Sequence, residues 1–199
     1  MSLRSVRSCY GARANEYIEV VGSIEHAAIP DLALVEKWAH GIEGLVLDVG
    51  CGPGQWTHHL TSIGVDAEGI DPVAEFIESA QITYPAGRYR LGRAEALEMD
   101  AGVLGGVLAW YSLIHIDPEQ ISTALDEFAR CIRSGGGLAL GFFTGPTLEP
   151  FNHEITTAYY WPIDLLTREV EAAGFTVTHT ESRTDRSKRT HGAILATRL

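Results

Sequence analysis

The chain has 199 residues, 45% hydrophobic and 21% charged, with 15 Lys and Arg against 26 Asp and Glu and a formal net charge of −11. That length and balance predict one soluble globular domain with its own core. The acidic excess argues against a general nucleic-acid binder, whose affinity comes from clustered cations. Three cysteines, Cys9, Cys51 and Cys131, without CxxC spacing predict no disulfide framework and a reducing, cytoplasmic setting. The first residues lack the apolar run of a signal peptide, and no stretch approaches the roughly 18 apolar residues of a membrane span.

In chain order, residues of about 10–40 read as helical: AAIPDLALVEKWAHG has apolar residues at helical spacing, Pro30 near its start and Gly41 as a stop. From residue 45 short apolar runs alternate with helical segments. LVLDV is a strand, followed by a glycine loop and the helix GQWTHHLTSIG. DAEGID is a second strand, and PVAEFIESAQIT a helix with Pro72 in its first turn. GRYRLG and GGVLAWYSL are the third and fourth strands. DPEQISTALDEFARCI is a helix with Asp117 as N-cap, Pro118 at N1 and Gln120 in capping-box position. SGGGLALGFF is a turn and fifth strand, and PIDLLTREVEAAGF a helix stopped by Gly174. FTVTHTE and HGAILATRL close the chain as two strands with no helix between them. The alternation predicts a doubly wound α/β fold, a mostly parallel seven-stranded sheet with helices on both faces and an antiparallel C-terminal edge hairpin. The expected organisation is a single domain, with a helical cap over 1–44, a core over 45–199 and an insertion at about 144–162.

Ligands of doubly wound sheets sit beyond the carboxyl ends of the strands, where Gly50, Gly52 and Gly54 fall. Bare backbone permits positive φ and close approach to a ligand. A dinucleotide fingerprint would want a third glycine where Gln55 stands, and a phosphate loop of the Walker type would want a lysine that is missing. Asp48, just before the loop, suits a cationic or hydroxyl-bearing partner better than a phosphate.

VLDVGCGPG resembles the first motif, D-x-G-x-G-x-G, of the class I S-adenosylmethionine-dependent methyltransferases. Asp71 in GIDP, 17 residues beyond Gly54, matches the family acid that accepts both ribose hydroxyls. The resemblance implies S-adenosylmethionine as cofactor and S-adenosylhomocysteine as product, with Asp48 orienting the loop and the ammonium. Gly50, Cys51, Gly52 and Pro72 would lie against the ligand. LGRAEAL (91–97) resembles the family's G-D-A-E-x-L segment, with Arg93 in place of the aspartate; the N–H of Ala94 would hold adenine and Glu95 would order the loop. GGVLAWYSLIHI resembles the fourth-strand motif, putting Trp110 and Tyr111 beside cofactor and substrate, and IRSGGGLAL resembles the family's turn into the fifth strand. An N-terminal helix closes over the cofactor in relatives, which points to Tyr10 and Tyr17; ordinary helix packing accounts for the pair equally well. Trp56 is either a cofactor wall or core.

The implied reaction is direct displacement from a sulfonium, which needs alignment of the acceptor and exclusion of water, and no metal. His115, just past the fourth strand, is the candidate general base or, alternatively, a pocket-lining residue. RTDRSKRTH (183–191) gathers cations in an acidic chain: Arg183, Arg189 and His191 form either a clamp for an acidic substrate or a solvated edge turn. His153 and Tyr160, in the aromatic segment 145–162, are candidate substrate-lid residues. The expected acceptor is a small and acidic molecule, with no nucleic-acid or membrane partner. Two other classes stay open: a non-catalytic cofactor-binding module of the same fold, and a nicotinamide-dependent oxidoreductase.

Overall fold

The structure is a computed structural model that describes residues 10, 11, 13, 18, 22–184 and 189–199. Helix α1 (Ile29–Ala39) precedes β1 (Val46–Val49), α2 (Gln55–Ser62), β2 (Ala67–Asp71), α3 (Ala74–Thr83), β3 (Tyr89–Leu91) and β4 (Leu104–Trp110). Then come α4 (Ile121–Cys131), β5 (Ile132–Phe143), the short strands β6 (Glu149–Asn152) and β7 (Thr157–Tyr160), α5 (Ile163–Ala172), β8 (Phe175–Thr184) and β9 (Thr190–Arg198). The main sheet has seven strands in the order β3-β2-β1-β4-β5-β9-β8. Every pairing from β3 to β5 is parallel, whereas β9 runs antiparallel to both β5 and β8. The expected architecture, with its antiparallel edge hairpin, is therefore the one observed.

The strands explain themselves physically. β1 and β4 are buried along their whole length, as strands must be when helices cover both faces, and both read as nearly unbroken apolar runs. One face packs Leu47, Val107, Leu138 and Leu140 against α4 and α5 through Phe128, Leu125 and Val170. The other packs Val46, Leu108 and Ala139 against α1 and α2 through Val35, Trp38 and Leu60. Burying each of these large side chains is worth about 1.5–3 kcal/mol.

Three local readings differ from the structure. The helix expected over about 10–40 is not continuous: a 3₁₀ turn, Ile24–His26, separates the described part of the N-terminal segment from α1, and Ala28, in an extended conformation, leads into α1 with Pro30 in its first turn. Asp117 does cap, its carboxylate accepting from the Glu119 N–H at 3.2 Å, but the turn it opens is the 3₁₀ segment Pro118–Gln120, and α4 begins only at Ile121. The insertion after β5, expected as irregular lid, is ordered by the β6–β7 hairpin, which pairs Glu149 with Tyr160 through to Asn152 with Thr157. No helix among the described residues is long and apolar enough to cross a membrane.

Candidate functional site

The site begins at the carboxyl end of β1. Gly50, Gly52 and Gly54 take φ of +73°, +55° and +90°, values that cost an L-residue roughly 1–2 kcal/mol each. The three glycines are not equivalent. A Cβ on Gly50 would stand 2.3 Å from the Ser112 Cβ, and one on Gly54 would stand 2.8 Å from the Tyr89 ring. A Cβ on Gly52 would meet no atom within 4 Å, so its bareness serves whatever lies outside the fold. The Gly50 and Cys51 N–H groups both donate to the Ile70 carbonyl, at 2.8 and 2.9 Å, hanging the loop on β2.

Two buried acids flank the loop. Asp71 accepts from the Gly52 N–H at 3.0 Å and the Val73 N–H at 2.8 Å, one to each carboxylate oxygen. Burial pushes its pKa up to about 6, against the pull of those two donors. Each oxygen retains a lone pair for a further donor. Asp48 accepts from the Thr57 hydroxyl at 2.6 Å, and burial pushes it up to about 7. It therefore ties β1 to α2 beneath the loop and is not among the residues lining the cavity described next. Burial and the two neighbouring acids push the Cys51 thiol well up, so it stays protonated and is a wall, not a nucleophile.

A cavity of about 500 Å³ opens above the carboxyl ends of β1, β2, β4 and β5, within the roughly 300–1,000 Å³ common for small-molecule sites. Of the sequence candidates it brings together Tyr10, Gly50, Cys51, Gly52, Trp56, Asp71, Pro72, Trp110, Tyr111, His115, His153, Arg183, Arg189 and His191. Asp48, Ala94, Glu95 and Tyr160 are not in its lining. Ala94 and Glu95 lie in the half-buried segment after β3. Tyr160 stacks on Phe151 with ring centroids 4.2 Å apart, and Phe151 in turn packs on Phe143 of the cavity wall. Tyr17 falls outside the described residues.

Along the cavity wall two tyrosine–histidine couples form across long sequence separations. The His115 Nδ1 bonds the Thr157 carbonyl at 2.8 Å, and its Nε2 meets the Tyr10 hydroxyl at 2.7 Å. A carbonyl can only accept, so Nδ1 carries the proton, and Nε2 presents a lone pair to Tyr10. Burial lowers the His115 pKa below the ordinary histidine value. In the second couple the Tyr111 hydroxyl lies 2.6 Å from His191 Nδ1. Tyr111 itself has φ of +58°, a left-handed conformation costing a non-glycine residue about 1–3 kcal/mol and kept only where the surroundings enforce it. His153 faces His115 with ring centroids 5.3 Å apart, and burial, then His115 and Arg189, push its pKa down to about 4.

Arg183, expected as part of an anion clamp, pairs with the buried Asp31 of α1 and lies 3.8 Å from Glu181. Its charge is matched within the protein and its contact joins β8 to α1. Arg189 sets its guanidinium 5.7 Å over the Phe143 ring and 5.4 Å over Phe151. Arg13, Asp31, Gln55, Ser112 and Phe143 also line the cavity and were not foreseen. Ser112 and Phe143 follow from the rule that ligands sit at strand carboxyl ends. Asp31 announces itself as an acid in the apolar helix AAIPDLALV, where it is 5% exposed while Ile29 is 81% exposed. Among the described residues, five buried side-chain polar atoms lack a partner: Trp38 Nε1, Gln55 Oε1, Trp110 Nε1, Ser112 Oγ and His153 Nδ1. All but Trp38 belong to cavity walls, so the fold leaves its polar debts where a ligand would meet them.

Residues 46–136 match the profile of the methyltransferase domain family. A malonyl-(acyl-carrier protein) O-methyltransferase from Erwinia billingiae is 28% identical over 162 residues, which are 81% of this chain and 61% of the relative. The chain thus spans less than two thirds of that curated relative's length. Among solved structures, the (4+2) cyclase SpnF superposes with a TM-score of 0.83 at 16% identity, covering 97% of this chain and 95% of the other. The 1,6-didemethyltoxoflavin N1-methyltransferase of Burkholderia thailandensis, bound to its substrate and S-adenosylhomocysteine, gives 0.82 at 20% identity, over 98% and 88%. At such identities the two structures speak for the fold.

Proposed function

We propose, on the premise that residues 46–136 belong to the methyltransferase domain family, that this protein transfers a methyl group from S-adenosylmethionine to a small acidic acceptor and releases S-adenosylhomocysteine. The observation that carries the reading is Asp71, a buried carboxylate on the cavity wall beside a glycine whose missing Cβ faces open space. The residues present fit this cofactor. Asp71 has lone pairs left for ribose hydroxyls, Gly50 and Gly52 offer bare backbone, and Gln55 Oε1 and Ser112 Oγ are buried and unpartnered. Pro72 and Trp56 would flank the ligand, and Tyr10 would cover it.

Bound S-adenosylmethionine supplies a methyl already activated on sulfonium. What is left to the chain is alignment, exclusion of water and removal of a proton. Alignment alone is worth up to about 7–11 kcal/mol. His115 is the base: the proton of an acceptor O–H or N–H passes to Nε2, through the Tyr10 oxygen while Tyr10 hands its own proton on. Burial keeps this histidine neutral at pH 7, ready to accept. Arg13 and Arg189 on the cavity wall favour an acid as acceptor, and the Erwinia relative is named for a malonyl group held on a carrier protein.

Incubation with methyl-labelled S-adenosylmethionine and a panel of small acids, with a malonyl-carrier thioester as the second arm, tests the reading. Labelled product is expected with wild type. His115→Gln should keep S-adenosylhomocysteine binding and lose about 10²–10⁴-fold in turnover, and the acid limb of the wild-type rate should fall below the ordinary histidine value. Tight cofactor binding with no labelled product from either arm would contradict methyl transfer and favour a non-catalytic module.

A further inference from the structure

We propose that His153 is a specificity-determining residue that gives a hydrogen bond from Nε2–H to the methyl acceptor, and that the acceptor carries a carbonyl conjugated with the O–H or N–H to be methylated. This rests on the methyl-transfer reading and names the group beside the reacting atom, since a proton conjugated with a carbonyl is acidic without a carboxylate. The first observation is the hairpin tip. β6 and β7 pair Asn152 with Thr157, so one short loop carries His153 and also the Thr157 carbonyl that accepts from His115 Nδ1 at 2.8 Å. The two imidazoles meet edge to face, with centroids 5.3 Å apart at 75°.

The second observation is what each ring has to offer. Thr157 fixes the His115 proton on Nδ1, which leaves Nε2 as the accepting edge, toward Tyr10. His153 packs on the rings of His115, Phe143 and Phe151, the last two at 6.0 and 6.2 Å. Its Nδ1 is buried and lacks a partner among the described residues. A buried orphaned N–H is rarer than a buried bare lone pair, so the proton of the neutral ring sits on Nε2. Burial, the largest cause, pushes the His153 pKa down to about 4 and keeps the ring neutral at pH 7. The ring lines the cavity, and with Nδ1 enclosed, the Nε2–H edge is the one that meets a ligand. Neighbouring imidazoles thus face the acceptor with opposite polarity: His115 takes its proton, and His153 donates to the atom beside it. Phe143 and Tyr111, with centroids 5.2 Å apart on the same cavity wall, suit a flat conjugated group. The His153 contact joins uncharged groups, so it holds whatever charge Arg189 and Glu154 present to the cavity.

The test uses the whole chain, ¹⁵N-labelled in its histidines and saturated with S-adenosylhomocysteine, titrated with 2-pyridone and followed by nuclear magnetic resonance. Nitrogen shifts should put the His115 proton on Nδ1 and the His153 proton on Nε2; a His153 proton on Nδ1 overturns the proposal. 2-Pyridone should bind at least fivefold more tightly than pyrrole, which keeps the N–H alone, and than 1-methyl-2-pyridone, which keeps the carbonyl alone. Equal binding of either overturns it while the methyl-transfer reading stands, whereas failure of wild type to bind S-adenosylhomocysteine removes that reading itself. His153→Phe keeps an aromatic ring in place and should cut the advantage of 2-pyridone over pyrrole to below twofold, a selectivity that loss of packing alone would not move. A variant that binds S-adenosylhomocysteine and keeps the advantage overturns the proposal; if the variant does not fold, the proton positions and the ligand series on wild type decide.

Discussion

The two ends of one cavity are built in opposite ways. The end around Asp71 is local: Gly50, Gly52, Asp71 and Pro72 come from one β-α-β stretch, and backbone N–H groups and carbonyls do most of the holding. The end around His191 is assembled from the whole chain. Tyr111 meets His191 across 80 positions, and Arg183 meets Asp31 across 152. Backbone geometry at the first end fixes what is bound with little room for change. Side chains on separate elements at the second can be exchanged one at a time without disturbing the first.

That contrast can be broken or sharpened by mutation. Asp71→Ala removes the acceptor proposed for two ribose hydroxyls, and hydrogen bonds to a charged group are worth about 1.5–3 kcal/mol each. S-adenosylhomocysteine affinity should drop by roughly 100-fold or more by calorimetry. Next in size, Gly50→Ala forces a Cβ onto Ser112 at 2.3 Å in a left-handed backbone and should cost about 2–4 kcal/mol in chemical denaturation. Gly52→Ala carries only the backbone cost of about 1–2 kcal/mol, yet should lose cofactor binding as fully. Equal stability loss in the two would show that the difference between the glycines is not what the packing says.

Asp31→Asn tests the other end. The carboxylate is 8% exposed and Arg183 24%, so breaking the pair should cost roughly 1–3 kcal/mol, with cofactor affinity within about twofold of wild type. The smallest effect is one of pH. Burial holds Asp71 near about 6 and Asp48 near about 7, above the ordinary 3.8. Between about pH 4 and 7 the folded chain binds protons more tightly than the unfolded one, so ligand-free stability should fall as pH rises through that window. Asp48→Asn should flatten the upper part of that slope in thermal melts, whereas cofactor affinity should rise with pH through about 6 as Asp71 ionises.

The same contrast explains what could be read from the sequence. The mostly parallel sheet and its antiparallel edge follow from element succession, and the Asp71 end follows from glycines and one acid at fixed spacing, because local backbone requirements leave local marks. The position of Asp48 before the loop suggests a ligand contact, yet its side chain turns to Thr57; a strand alternates its faces, and the residue alone does not say which face looks outward. Tyr160 and His153 lie in one aromatic stretch, which gives both the same expected place. In the structure both pack against Phe151, Tyr160 at 4.2 Å and His153 at 6.2 Å between ring centroids, but only His153 reaches the cavity lining. Asp31 stands out locally, but its pairing with Arg183 does not, since the partners lie on α1 and β8.

The central claim is that the glycine loop and Asp71 hold S-adenosylmethionine. Calorimetric titration of wild-type protein with S-adenosylmethionine, S-adenosylhomocysteine and NAD⁺ tests it most directly. The account predicts one-site micromolar binding of the first two and none of the third. Binding of NAD⁺ in their place, or of none of the three, would contradict it.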